Sequence, residues 1–231
     1  EKFIYGRAGV ATSNYVDNPP PFRSPNTRSE FNPGKATAML KATGWKKGPG
    51  GTREKDGKAL KLLFQTSTNA PRQKTQALIK QAALKAGIEI EVKAIAGSVF
   101  FSTDVGNPDT YGKFYADLQM YTGSGTVDPT RVMLRFASWE AAQKANKWSG
   151  INLSRHQNTE FDRLFRSTEA ELDAIKRAAT FVRMNDLLMQ THAMIPVIQR
   201  RSVAAISAKL RAPISAWAGD MAFVRDWHRI A

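Results

Sequence analysis

The succession of apolar and polar positions in the first half of the chain predicts alternating strands and helices. Leu60–Phe64 is a short apolar run, which is typical of a strand buried on both faces, and Ile88–Ala94 alternates strictly between apolar and charged residues. Between them the pattern predicts a helix that begins at Pro71 and ends at Gly87. Its predicted apolar positions are Leu78, Ile79, Ala82, Ala83 and Ala86.

A third strand is predicted at Ala116–Tyr121, after a second crossover over residues 97–109. Crossovers of this length return the chain to the same end of a sheet, so we expect the three strands to be parallel. The predicted fold class is therefore α/β, with βαβ units and a mostly parallel sheet. The glycine-rich loop Thr122–Pro129 follows the third strand directly, at the carboxyl end where open α/β sheets bind ligands.

Capping signals predict three further helices. The first is capped by Asn32 and ends at Gly44, the second is capped by Asn158 or Thr159, and the third covers Asp173–Ala193. The residues predicted to face the core are Ala36, Met39 and Leu40 in the first, Phe161, Leu164, Phe165 and Thr168 in the second, and Ile175, Ala178, Val182 and Met189 in the third.

The remaining segments are predicted to be a hairpin, a strand and a tail. Lys47–Lys58 contains turn residues but few acids, which favours a hairpin over a calcium loop. Ile195–Ile198 is β-branched, with its proline near the start of the predicted strand. The last 30 or so residues have little regular pattern, and their aromatic residues predict a tail that docks onto another surface: Trp217, Phe223 and Trp227.

Composition excludes several classes of function. The 231 residues can bury a full core, and no apolar run approaches the length that spans a bilayer. Because cysteine is absent, disulfides, thiolate catalysis and cysteine zinc sites are excluded. His156, His192 and His228 are scattered without ligand spacing, and neither a nucleophile elbow nor a phosphate loop occurs. We therefore expect a protein without catalytic residues, metal or cofactor.

A net charge of +14 would attract nucleic acid, anionic lipid or acidic ligands. The basic residues of one region fall at turns and on outer helix faces, without interleaved aromatic residues that could stack on bases. A solvated basic face is the favoured interpretation, and a basic nucleic-acid-binding domain, whose binding would fall steeply with salt, is the alternative. These basic residues are Lys35, Lys41, Lys46, Lys47, Arg53, Lys55, Lys58 and Lys61.

Two polar stretches supply the candidate ligand-binding residues. The glycine-rich loop offers an aromatic face, hydroxyls and glycines, although a bare turn would also need those glycines. Asp128 either faces the ligand or caps a turn before Pro129. The stretch after Trp148 can bind hydroxyls or carboxylates. The complete candidate set is Tyr121, Thr122, Gly123, Ser124, Asp128, Trp148, Asn152 and Arg155.

Five segments, in order, carry a resemblance to a known family. Phe3–Val10 is similar to the end of a helix and the following turn in that family, and Asn32–Trp45 resembles the family's segment DPEKAKALLKEAGW. Arg53–Leu60 resembles the turn that precedes a strand in the family. Asp128-Pro129 is similar to its DP pair, and Asn158–Asp162 to its helix start NPEFD. The chain thus resembles the C-terminal half of the large solute-binding proteins of bacterial ABC importers, which include dipeptide-, oligopeptide- and nickel-binding receptors.

The resemblance implies one lobe of a two-lobed periplasmic binding protein. Family members are longer, and the part absent from this chain is N-terminal, so it would hold most of the first lobe and the signal peptide. Residues 1–200 would then form the second lobe, and residues 201–231 the return segment that completes the first. The implied partners are a small-molecule or peptide-like ligand and an ABC permease in the inner membrane, with no nucleic acid. The implied protein is a monomer, periplasmic or tethered to the membrane outside the cytoplasm.

One departure from the family pattern concerns the ligand. The peptide-binding members of the family that this chain resembles share a Trp-x-x-Asp pattern before the DP pair. The aspartate of the Trp-x-x-Asp pattern pairs with the α-ammonium of the peptide. The matching positions here are Thr122 and Gly125, or Tyr121 and Ser124 with a one-residue insertion. Neither pair offers a carboxylate, and an ammonium is costly to desolvate without one. A neutral or anionic solute, such as a sugar conjugate or a modified peptide, is therefore at least as plausible as a free peptide.

Overall fold

The computed structural model describes residues 2–123, 125, 127–201, 204–214 and 223–230, and these residues fall into two compact units. Unit 1 contains Glu1–Arg28, Ser124–Ser138 and Gln157–Ala231, whereas unit 2 contains Ser29–Gly123 and Trp139–His156. None of the described helices is both long enough and apolar enough to cross a membrane.

The helices, in chain order, are α1 (Lys2–Tyr5), α2 (Pro33–Ala42), α3 (Ala70–Leu84), α4 (Gly97–Phe100), α5 (Thr130–Met133), α6 (Thr159–Ala170) and α7 (Ala174–Gln190). The strands are β1 (Gly9–Ala11), β2 (Lys46–Lys47), β3 (Arg53–Lys55), β4 (Lys58–Ala59), β5 (Lys61–Ser67), β6 (Glu89–Ile95), β7 (Leu118–Met120), β8 (Ile198–Arg200), β9 (Leu210–Arg211) and β10 (His228–Arg229). Short 3₁₀ helices lie at Gly6–Ala8, Pro20–Phe22, Leu134–Phe136, Ser138–Glu140, Lys144–Asn146 and Val224–Asp226.

Unit 2 is built on a parallel three-stranded sheet in the order β6, β5, β7. The predicted βαβ order and the parallel direction of all three strands are confirmed. The apolar run that starts the central strand is extended by Gln65, Thr66 and Ser67, which are buried. The outer strand β6 leaves Val92 42% exposed, as expected for an edge strand. This arrangement places a polar, buried segment at the carboxyl end of the sheet.

Helix α3 packs on this sheet with a face that differs in part from the predicted one. Asn69 caps it by accepting a hydrogen bond from the backbone N–H of Arg72. Leu78 was predicted to face the core but is 54% exposed. It lies about 100° around the helix from Ile79, which is half-buried, so the two side chains cannot both face the sheet. Gln76 is buried instead, and its amide donates to the carbonyl of Phe64 at 2.5 Å.

The predicted hairpin is confirmed as a three-stranded antiparallel sheet of β2, β3 and β4. Asp56 and Gly57 join β3 to β4 with φ of 51° and 73°, the left-handed pair that a type I′ turn requires. Arg53 is buried, and its guanidinium donates to the carbonyls of Ala86 (2.7 Å) and Trp45 (2.9 Å). This arginine therefore fixes the hairpin to the end of α3 and to the chain after α2.

The core of unit 1 forms between α6 and α7. Asn158 caps α6 as predicted, and Phe161, Phe165 and Thr168 are buried on the predicted face. Asp173 caps α7, but the predicted face of that helix is wrong at Ile175, which is 82% exposed. The residues of α7 that join the core are Phe181, Met184, Leu187 and Leu188.

Two segments after α7 also differ from the prediction or go beyond it. Strand β8 begins only at Ile198 and pairs antiparallel with β1, so the strand predicted from Ile195 starts three residues too early. Near the C-terminus, β9 pairs with β10, and the indole N–H of Trp227 donates to the carbonyl of Pro213 at 3.0 Å. Phe223 is 39% exposed, while Trp217 lies outside the described residues. The lobe boundary near residue 200 stays a prediction.

A buried asparagine links α7 to the N-terminal segment of unit 1. The side-chain oxygen of Asn185 accepts from the backbone N–H groups of Tyr15 (2.9 Å) and Val16 (3.2 Å). Its amide donates to the side-chain oxygen of Asn14 at 2.7 Å. Asn185 has no exposed surface, so these groups depend on one another rather than on water.

We predict that Asn185→Ala lowers the free energy of unfolding by about 2–4 kcal/mol, because it leaves buried donors without an acceptor. Urea unfolding followed by far-ultraviolet circular dichroism measures the change. Gln190→Ala, at the exposed end of the same helix, is the control and should change stability by less than about 0.5 kcal/mol. Equal effects of the two substitutions would contradict the role given to Asn185.

Candidate functional site

The carboxyl end of the parallel sheet is lined by amide and hydroxyl groups that belong to β5 and β7. The amide of Gln65 donates to the side-chain oxygen of Gln119 at 2.6 Å. The hydroxyl of Thr66 donates to the carbonyl of Met120 at 2.7 Å, and Ser67 accepts from the guanidinium of Arg72. Gln65, Thr66, Ser67 and Gln119 were missed as candidates, although the run of polar residues directly after the strand predicted at Leu60–Phe64 was a signal that could have found the first three.

Aromatic side chains adjoin this polar edge. Tyr121, the first residue after β7, is half-buried and meets Tyr111 edge to face with ring centroids 5.7 Å apart. Tyr111 in turn contacts Phe101 at 5.5 Å. Thr122 and Gly123 follow Tyr121 and are exposed, whereas Ser124 lies outside the described residues.

Asp128 belongs to unit 1, where its carboxylate is already engaged. It accepts from the backbone N–H of Thr130 at 2.8 Å and forms a two-point ion pair with Arg177, at 2.5 and 3.2 Å. Partial burial raises the pKa of Asp128, but the hydrogen bonds from Arg177 and Thr130 and the charge of Arg177 outweigh it and lower the pKa from 3.8 to about 2. The turn-capping interpretation of this aspartate is the one that its contacts favour.

Asn152 and Arg155 form a second group in unit 2, and their side chains bind backbone. The amide of Asn152 donates to the carbonyl of His156 at 2.9 Å, and its side-chain oxygen accepts from the N–H of the same residue at 3.1 Å. The guanidinium of Arg155 donates to the carbonyls of Ala142 (3.0 Å), Phe114 (3.4 Å) and Lys113. These contacts hold loops together and leave fewer donors for a ligand.

Trp148 lies beside Arg155, whose guanidinium carbon is 5.4 Å from the centroid of its ring. Tyr115 meets the same indole edge to face at 5.5 Å. Tyr115 precedes β7 and Tyr121 follows it, so the two groups of candidate residues lie toward opposite ends of that strand. Within unit 2 the Trp148 group therefore adjoins the start of β7, and Tyr121 adjoins its end.

The chemistry available at the carboxyl edge is that of binding. The ring of half-buried Tyr121 can stack on the apolar parts of a solute, and the exposed Thr122 and Gly123 can hydrogen bond to its polar groups. Gln65 and Thr66 are buried and bonded to β7, so they hold the strand that leads into these residues. Across the described ranges, no group of three or more histidine or acidic side chains is placed to hold a metal ion.

The model of the family described as bacterial extracellular solute-binding proteins, family 5 Middle, matches residues 1–144. No curated protein sequence matches the chain.

Several solved structures share the fold at low sequence identity. An oligopeptide-binding protein from Thermus thermophilus, complexed with a pentapeptide, has a TM-score of 0.76 and 20% identity over 95% of this chain. NikZ from Campylobacter jejuni, in complex with Ni(L-His), has a TM-score of 0.76 and 17% identity over 99% of it. The murein tripeptide binding protein MppA from Escherichia coli has a TM-score of 0.71 and 18% identity over 91% of it. The chain spans only 38%, 45% and 38% of these three proteins, respectively.

We predict that Asp128→Asn destabilises the protein by less than about 1 kcal/mol at neutral pH, since the carboxylate is half exposed. The folded pKa lies below the ordinary value, so the stabilisation is complete above about pH 4 and is lost as the pH falls toward 2. Urea unfolding of both proteins at a series of pH values should show their curves converging in acid. Asp104→Asn is the control, because Asp104 accepts from the N–H of Gly106 in a similar turn but has no arginine partner among the described residues. If the stability curves of this variant and the unaltered protein converge by the same amount in acid, the Arg177 pair is not the cause.

Proposed function

Because the chain belongs to family 5 of the bacterial extracellular solute-binding proteins, we propose that it is part of the substrate-binding component of an ABC-type importer. In this proposal the protein captures a peptide-like or other small polar solute in a cleft between two lobes and delivers it to a permease in the inner membrane. The observation that supports the proposal most is the polar carboxyl edge of the parallel sheet, where Gln65, Thr66 and Gln119 lie close to the exposed start of the glycine-rich loop.

We propose the same lobe assignment that the sequence predicts: residues 1–200 form the second lobe, and residues 201–231 return to complete the first. Closure of the lobes would be driven by the higher affinity of the solute for the closed state. The proposed protein acts as a monomer outside the cytoplasm, either periplasmic or tethered to the membrane, and without catalysis.

Within the candidate set, we assign ligand contact to Tyr121, Thr122, Gly123 and Ser124. Trp148 remains a proposed contact through its ring. Asp128, Asn152 and Arg155 are instead assigned to the support of the surrounding backbone, because their side chains form hydrogen bonds to backbone groups. Asp128 also pairs with Arg177, and Asn152 also accepts from the hydroxyl of Ser154.

The charges near the glycine-rich loop favour one class of solute. Among the structural relatives, one is complexed with a pentapeptide and another with Ni(L-His), so this fold accepts cargoes of different chemistry. In this chain no carboxylate stands at Thr122 or Gly125, and Asp128 is paired with Arg177. A peptide ammonium would therefore be desolvated without an anionic partner, which favours a neutral or anionic solute.

We predict that this 231-residue chain binds a solute at least about a hundredfold more weakly than a longer chain that includes the first lobe, because contacts from both lobes are needed to bury a ligand. Isothermal titration calorimetry of both chains, with a solute identified by mass spectrometry of the longer protein, makes the comparison. Equal affinities would contradict the two-lobe mechanism.

We further predict that, in the longer chain, free tripeptides bind poorly and that Gly125→Asp raises their affinity by about 1–3 kcal/mol. A side chain at Gly125 would meet no heavy atom within 4 Å, so the substitution can be accommodated. Thermal-shift titration with a tripeptide and its N-acetylated form tests the charge, since the acetylated form should gain nothing. Tight binding of free tripeptides by the unaltered protein, lost on Asp128→Asn, would show that Asp128 is the ammonium partner after all.

A further inference from the structure

Helix α2 presents an apolar, lysine-flanked face to solvent. None of its residues is buried, and the sequence-predicted inner residue Met39 is 60% exposed. Ala36 and Leu40 are half-buried, so the outer side carries Met39 with Ala38 and Ala42, bordered by Lys35 and Lys41. Phe31, one residue before the helix cap, is 74% exposed. Bulky apolar side chains thus lie in water beside Lys35, which is paired with Glu30 at 3.1 Å, and beside Lys41.

The same part of unit 2 holds a large share of the positive charge. Residues 31–61, here called the basic segment, contain eight basic and two acidic residues, a net charge of +6 out of +14 for the whole chain. The segment is continuous in space, because the side chain of Lys55 lies 3.6 Å from the position of a Cβ at Gly44, after the end of α2. The strands β2, β3 and β4 therefore adjoin the helix.

Like charges stand opposite one another in the small sheet of the basic segment. Lys47 is paired in register with Arg53, and Lys55 with Lys58, whereas Lys46 lies opposite Glu54. Like charges directly opposite each other destabilise a sheet unless a counter-charge lies near. In the part of the chain that the structure describes, Lys41, Lys46, Lys47 and Lys58 form no ion pair. Their charges are available to an external anion.

We propose that the basic segment binds the surface of an anionic phospholipid bilayer, with Phe31 and Met39 in the interface and the lysines against the phosphate headgroups. This inference goes beyond solute capture and does not depend on it. Exposed apolar side chains together with a polybasic surface are the two signals that give stable peripheral binding to a membrane.

A bilayer fits these residues better than the other anionic partners. Nucleic acid would be bound through charge and base stacking, yet Phe31 is the segment's exposed aromatic residue and precedes a helix rather than lining a groove. Among these partners, only a lipid surface makes use of Met39 and Phe31 by burying them in hydrocarbon. The proposal therefore requires both the charges and the apolar side chains.

The first experiment tests the charges by co-sedimentation with vesicles of equimolar phosphatidylglycerol and phosphatidylcholine. The triple variant Lys41→Gln, Lys46→Gln, Lys47→Gln should bind about a hundredfold more weakly than the unaltered chain at low salt. The matched control is Lys74→Gln, Lys80→Gln, Lys85→Gln, which removes the same charge from exposed positions on or just after α3 and should bind nearly normally. Equal losses in the two triple variants would overturn the proposal, because they would reflect net charge alone.

The second experiment tests the apolar contacts. Phe31→Ser with Met39→Gln should weaken vesicle binding at least about tenfold, also at salt concentrations that screen the lysines. Leu78→Gln with Leu84→Gln, at exposed positions of α3, should not. Circular dichroism confirms that each variant is folded. Unchanged binding of the Phe31 and Met39 variant, equal binding to pure phosphatidylcholine, or tighter binding to duplex DNA than to anionic vesicles would each reject a membrane partner.

Discussion

The polar carboxyl half of β5 imposes a constraint on the rest of unit 2. Gln65, Thr66 and Ser67 are buried in the central strand, and a buried polar group without a partner costs about 1–3 kcal/mol. Partners must therefore come from the elements on either side. Gln119 and the carbonyl of Met120 supply these partners from β7, which fixes the short third strand. Helix α3 contributes Arg72, whose guanidinium donates a hydrogen bond to the hydroxyl of Ser67.

Local signals in the sequence predicted most of the fold. The asparagine caps of α2 and α6 act within three residues of their helices, and the Asp56-Gly57 turn depends only on its own backbone angles. Such features depend on neighbours along the chain, so a pattern can reveal them. The resemblance of five segments in order added a prediction of the family, and the family match confirms that family over residues 1–144.

The orientation of helices and the roles of side chains were harder to predict. Helix α7 has apolar residues on more than one face, and its contacts with α6 and with the 3₁₀ helix Pro20–Phe22 decide that Phe181 is buried while Ile175 is not. Arg155 donates to the carbonyl of Lys113, 42 residues away, through a loop geometry that no local pattern contains. Residue type alone indicated a ligand contact, whereas the structure shows these donors directed to the backbone.

Unit 1 is assembled from segments that are far apart in the sequence, and this affects the order of events during synthesis. The N–H of Tyr15 meets its acceptor on Asn185 across 170 residues, while the strands and helices of the parallel sheet lie within the continuous stretch 61–120. On a ribosome, the sheet of unit 2 can therefore form while the first 28 residues still lack their partners. Those residues, including the polar segment around Asn14, must stay solvated until α7 emerges, and closing so long a loop is slow. The maturation of unit 1, rather than that of the sheet, should thus limit how fast the chain reaches its native state.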